Sequence, residues 1–164
     1  MLVPGSDLRI RPAIATDAEA LGRLGTLLVS AHHQFDPARF IPAGPTTPQA
    51  YAAFLRQRLE AEDAIVLIAE HFNAVVGYAY AGIEGNDYMA LRGPAGAIYD
   101  LVVTPDRRRE GIGRRLLDAT VTALEARNVP QIVLTTAQRN VAAQRLYAGA
   151  GFRPTMIEMT RQLR

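Results

Sequence analysis

Between Ala97 and Leu117 the chain reads AIYDLVVTPDRRREGIGRRLL. An apolar run with strand character meets a Thr104-Pro105-Asp106 turn. A short loop holding Gly111 and Gly113 follows, then a helical pattern of Leu and Arg. This order sets the first turn of a helix at the end of a buried strand. The leading N–H groups of a helix lack intrahelical partners, and its dipole favours negative charge there. The two glycines let an anion approach the backbone with no Cβ in the way. Arg107, Arg108, Arg109, Arg114 and Arg115 strengthen the same preference. The chemistry this stretch implies is the holding of a phosphate-bearing ligand.

Two common phosphate loops fail on particular residues. The P-loop needs a lysine after its second glycine, and this chain contains none. The dinucleotide fingerprint needs a third glycine where Leu116 stands, and no acid follows about 20 residues later. A third pattern fits. Arg108-Arg109-Glu110-Gly111-Ile112-Gly113 resembles the Arg/Gln-x-x-Gly-x-Gly/Ala loop of the GNAT superfamily of acyl-CoA-dependent N-acetyltransferases. Further on, the run from Asn140 through Ala143, Leu146 and Tyr147 to Gly151-Phe152 is similar to that family's Asn-x-x-Ala-x-x-Leu-Tyr-x-x-x-Gly-Phe segment. The two matches stand in order, one strand and one helix apart, and the resemblance runs from about Ile65 onward. Arg109 departs from it, since the family usually has glycine there; its side chain must then point outward.

The resemblance implies acetyl-CoA as co-substrate, and the residues give no expectation of a metal. Backbone groups of Leu101, Val102 and Val103 would pair with the pantetheine arm as an added strand does. The N–H groups of Arg109, Glu110, Gly111, Ile112, Gly113 and Arg114, introduced by Arg108, would hold the pyrophosphate. Asn140 would contact the arm and also cap its own helix. Tyr147 would give a proton to the departing thiolate; its alternative role is the apolar face of a short helix. Transfer to an amine also needs a base, because a free alkyl ammonium has a pKa near ~10.4. Asp100 is a carboxylate in an otherwise apolar strand, where burial raises its pKa toward a useful range. It serves either as that base or as a cap or arginine partner. Glu84 and Asp87, after the preceding strand, are second choices. His32 and His33 precede a long loop and are placed to line the acceptor site. Adjacent histidines point to different sides of a helix, so they make a poor metal pair.

Composition frames these candidates. The chain has 164 residues, 49% hydrophobic and 21% charged, the profile of an ordinary globular domain, and its length predicts one domain over 1–164. No apolar run approaches a membrane span, and the N-terminus lacks a signal-peptide pattern, so a cytoplasmic location is expected. The absence of cysteine excludes disulfides and an acyl-cysteine intermediate, favouring direct transfer. A net charge of +2 does not argue for nucleic acid, and no aromatic stacking motif supports it.

The elements follow from periodicity. Strands are predicted at Leu8–Arg11, Ile65–Glu70, Ala74–Gly82, Ala97–Val103, Ile132–Thr136 and from Phe152 to Leu163, with a hairpin turn at Phe72-Asn73. Helices are predicted from a Thr16-x-x-Glu19 capping box to about Ala31, from Thr47 or Pro48 to Glu60, over Gly113–Arg127, and from Asn140 to about Ala148. The fold class is a mixed α/β, mostly antiparallel central sheet with helices on both faces and one parallel strand-helix-strand crossover. A C-terminal strand could pair across a homodimer. The expected activity is N-acetyl transfer from acetyl-CoA to a primary amine of a small molecule or peptide. A non-catalytic acyl-CoA-binding protein of the same fold is the alternative.

Overall fold

The computed structural model describes residues 7–163. Five strands form one sheet in the order β1-β2-β3-β4-β5: Leu8–Pro12, Ala64–His71, Ala74–Glu84, Ala95–Val103 and Ile132–Leu134. The first four pair antiparallel, and β4 pairs with β5 in parallel through α3 (Ile112–Glu125). The β2–β3 hairpin turns at Phe72 and Asn73, both in the left-handed region (φ 47° and 63°), as a two-residue primed turn requires.

Alternation along the strands builds two core layers. Ile65, Leu67, Ala79 and Ile98 pack with Ile112, Leu116, Leu117 and Leu124 of α3 on one face. Val66, Ile68, Tyr78, Tyr80 and Val102 pack with Leu21, Leu24 and Leu55 on the other. Leu21 and Leu24 come from α1 (Ala18–Phe35) and Leu55 from α2 (Thr47–Arg58). A fourth helix, α4 (Val141–Gly149), leads out of β5 and sets Leu146 and Tyr147 against the α3 layer. No helix among the described residues is long and apolar enough to cross a membrane.

Two irregularities shape β4. Its register with β3 shifts between Tyr80 and Ala81: Tyr80 faces Asp100 while Ala81 faces Ile98, so Tyr99 is an extra residue. Such a bulge bends a strand and re-aims its side chains. On its other side β4 pairs with β5 only from Gly96 to Ile98. From Tyr99 to Val103, no described residue forms a ladder on that side.

Several expectations are corrected. The segment from Phe152 to Leu163 forms no strand. It touches the loop after α1 through an Arg39–Glu158 ion pair and a Gln162-to-Ala38 hydrogen bond (2.7 Å). Met156, Ile157, Met159 and Leu163 stand 75–90% exposed. Strand propensity reports fit to a sheet surface, and the described residues of the chain offer this segment none. β5 ends at Leu134, two residues early. The helix expected to close at Ala31 runs to Phe35. Its entry is not the Thr16 capping box. A 3-10 turn at Ala15–Asp17 leads in, and the Asp17 carboxylate accepts the Ile14 N–H (2.8 Å) while pairing with Arg11 (2.8 Å).

Candidate functional site

The anion loop follows from its residues. Pro105 opens a 3-10 turn that carries the chain away from β4, and Gly111 stands at the N-cap of α3 with φ 79°. No side chain caps this helix, and no atom lies within 4 Å of where a Gly111 Cβ would be. The first N–H groups of a 14-residue helix therefore have no side-chain cap. Arg109 also has a positive φ, 65°, which explains why glycine suits this position; its side chain is exposed, as expected.

The flanking arginines are less free than their sequence suggests. Arg107 makes a bidentate contact to Glu110 and meets Nδ1 of His71 (2.8 Å). Arg114 pairs with Asp118 (2.8 Å) and donates to the Gly149 carbonyl (3.1 Å), tying α3 to α4. Arg115 donates to the Leu8 carbonyl (2.9 Å), and Arg108 to that of Val103 (3.3 Å).

α4 packs on the α3 side of the sheet through Leu146 and Tyr147. Asn140 caps it, its Oδ1 accepting the Ala143 N–H (3.1 Å), which leaves the amide NH2 free to donate outward. Tyr147, about two turns on, is half-buried with Phe152 edge-on to its ring. No described residue hydrogen-bonds its hydroxyl, and burial pushes its pKa up. A phenol held in the neutral form is a proton donor.

On the opposite face of the sheet, Asp100 is buried (8% exposed). Its Oδ2 accepts the hydroxyls of Tyr78 (2.7 Å) and Tyr51 (3.2 Å). Oδ1 has no partner among the described residues. Burial raises the Asp100 pKa, and the two hydroxyls and nearby His32 oppose the rise. Asp100 forms the floor of a cavity of about 320 Å³, with Tyr51, Phe54, Tyr80 and Tyr99 as walls. The bulge at Tyr99 is what lets consecutive residues 99 and 100 line one cavity.

Glu84 is held by two partners. Its Oε1 accepts the Tyr99 hydroxyl (2.6 Å) and its Oε2 is paired with Arg92, so both oxygens are engaged. Asp87 holds the following turn through the N–H groups of Met89 and Ala90 (both 3.0 Å). His32 packs against Phe35 and Phe40, while His33 bonds the Phe40 carbonyl (2.7 Å). Among the described residues no cluster of three His, Asp or Glu is arranged to hold a metal ion.

Sequence reasoning missed the aromatic wall and its support. Tyr78 and Tyr80 alternate along one strand, and Tyr51 and Phe54 sit at helical spacing, but as isolated residues they read as core. Gly22 and Gly25 bring α1 against α2: a Cβ at Gly25 would lie 2.1 Å from the Tyr51 ring. Glycine there fixes the position of Tyr51 over Asp100.

A mixed five-stranded sheet with a β4 edge unladdered beyond Ile98 among the described residues, followed by a helix start with no side-chain cap, is the architecture that comparison with known proteins matches. The chain belongs to the GNAT acetyltransferase family, whose family model matches residues 28–152. It is 37% identical over 89 residues to a mycothiol acetyltransferase of Thermobispora bispora, a match covering 52% of this chain and 28% of that protein. The chain thus spans little more than a quarter of that relative's length. An uncharacterised N-acetyltransferase of Bacillus subtilis is 28% identical over 148 residues, 88% of this chain and 89% of that one. Among solved structures, a Bacillus halodurans protein superposes with a TM-score of 0.83 at 24% identity, over 94% of this chain and 99% of that one. An aminoglycoside N-acetyltransferase in complex with CoA superposes with a TM-score of 0.75 at 22% identity, over 99% of both chains.

Proposed function

We propose that residues 1–164 form one N-acetyltransferase domain that moves the acetyl group of acetyl-CoA directly to a primary amine of a small molecule or peptide. One observation carries the reading: β4 keeps an unladdered edge beyond Ile98 among the described residues, the α3 start that follows it carries no side-chain cap, and Asp100 of the same strand lines a cavity. The pantetheine arm pairs with Leu101–Val103 in place of a strand, and the amides from Arg109 to Arg114 hold the pyrophosphate. Asn140 donates to the arm. This lays the thioester along the gap that joins the two faces of the sheet.

The step balances as follows. The acceptor ammonium gives one proton to Asp100, directly or through water. The freed amine attacks the thioester carbonyl, forming C–N and breaking C–S. Tyr147 protonates the departing thiolate and is restored by the second proton leaving nitrogen. The lack of any cysteine supports transfer without an acyl-enzyme. The exposed apolar segment from Met156 to Leu163, with the unpaired outer edge of β5, supports a homodimer in which this segment pairs with a second copy.

Calorimetric titration of acetyl-CoA into the protein tests the reading, with Gly111→Glu as control. Micromolar binding that the variant loses is the expected result. Absence of binding to the unmodified protein overturns the reading.

A further inference from the structure

The acceptor cavity has an unusual division of labour among its polar atoms. The Tyr99 hydroxyl donates to Glu84, the Tyr80 oxygen accepts from Arg58 (3.1 Å), and the Tyr51 hydroxyl is bound to Asp100. Phe54 has no polar tip. The walls therefore present rings: Phe54 meets Tyr80 edge-on at 5.8 Å, and Tyr80 and Tyr99 lie 4.9 Å apart. Oδ1 of Asp100 is the side-chain oxygen of the lining left without a partner among the described residues. The neighbouring cations are already neutralised, Arg58 by Asp63 and Arg92 by Glu84.

From this arrangement we infer that the acceptor is a single primary ammonium on a compact apolar skeleton, arylalkyl or alkyl, and neither a polycation nor a polyhydroxylated amine. One carboxylate at the floor matches one ammonium, and aromatic faces around it attract a cation while covering an apolar body. The volume of about 320 Å³ accommodates such a molecule. A second ammonium or a row of hydroxyls would meet ring faces and lose its hydrogen bonds to water without replacement. The inference deepens the transferase reading and rests on it for turnover, but amine binding alone also tests it.

The full chain is titrated with 2-phenylethylamine, hexylamine, spermidine and the neutral 2-phenylethanol, in the presence of CoA, and thiol release from acetyl-CoA is followed for the three amines. The two apolar amines are expected to bind at least tenfold more tightly than 2-phenylethanol and to exceed spermidine at least tenfold in kcat/KM. Asp100→Asn removes the preference for amine over alcohol. Phe54→Leu, at the exposed rim where folding is not at stake, weakens 2-phenylethylamine about two- to fivefold. Preference for spermidine, equal binding of the alcohol, or no binding of either apolar amine overturns the inference. Selective amine binding without thiol release removes the transferase reading and leaves the pocket assignment; thiol release with the ranking reversed does the opposite.

Discussion

The close approach of α1 and α2 makes Gly25→Ala a sharp probe of how the cavity over Asp100 is held. The new Cβ would lie 2.1 Å from Cδ1 and 2.5 Å from Cγ of Tyr51. Carbon atoms rest at 3.5–4.0 Å, so the ring must retreat by roughly 1.5 Å. Its hydroxyl is 3.2 Å from Asp100, already at the long end of hydrogen bonding, and that bond is lost. Overpacking of this severity costs about 3 kcal/mol. Alanine recovers about 1 kcal/mol of helix propensity over glycine, leaving a net loss of about 2 kcal/mol. For a chain of this size that is a fall in Tm of about 4–8 °C, read by circular dichroism. The decisive measurement is the same substitution in a Tyr51→Ala background. With the ring gone, Gly25→Ala should become stabilising by about 1 kcal/mol. Equal destabilisation in both backgrounds would refute the argument that Tyr51 is what the glycine accommodates.

Tyr147→Phe keeps the packing against Phe152 and removes only the proton donor. It should lower kcat about 100-fold or more with little change in acetyl-CoA affinity, measured by thiol release and calorimetry. Arg109→Gly relieves a left-handed backbone at an exposed side chain and should stabilise the fold by about 1 kcal/mol in urea denaturation. Asp17 is opposed by burial, but the Arg11 and Ile14 hydrogen bonds outweigh it and hold its carboxyl below the usual range. A lowered folded pKa means stability that is full above about pH 4 and lost as pH falls through the folded value. Asp17→Asn should therefore be less stable than the parent at pH 7, and the gap should shrink in acid; a gap that widens in acid contradicts the assignment.

The motifs that carry the cofactor reading were legible because they are local. A turn, two glycines and an amphipathic helix stand within twenty residues, and the strand before them is continuously apolar. Asn140 was legible as a cap for the same reason. The cavity over Asp100 was not, because it is assembled from a cross-strand pair, a helix fifty residues upstream and a bulge. A bulge is invisible to a period-two reading, which places Tyr99 and Asp100 on opposite faces. The partners of Glu84, Tyr99 and Arg92, were not legible because they reach it through the sheet and a loop. The tail beyond Phe152 misled for the converse reason: its apolar residues describe a strand, but within the described residues no partner strand accepts it.

The unpaired stretch of β4 has a consequence for the protein without its cofactor. A sheet edge with free N–H and C=O groups is a place where another chain can add, and ordinary folds shield such edges with charge or bulges. Here the only shield among the described residues is the bulge at Tyr99 and the Arg108 side chain on the Val103 carbonyl. If the pantetheine arm completes this edge, the small molecule is also a strand of the fold, and its concentration sets the exchange rate of those amide hydrogens between Tyr99 and Val103 that point away from β3. At a hundredfold excess over Kd it would add about 2.7 kcal/mol of stability. Storage of the protein without cofactor is then the condition under which filaments or higher oligomers should first form.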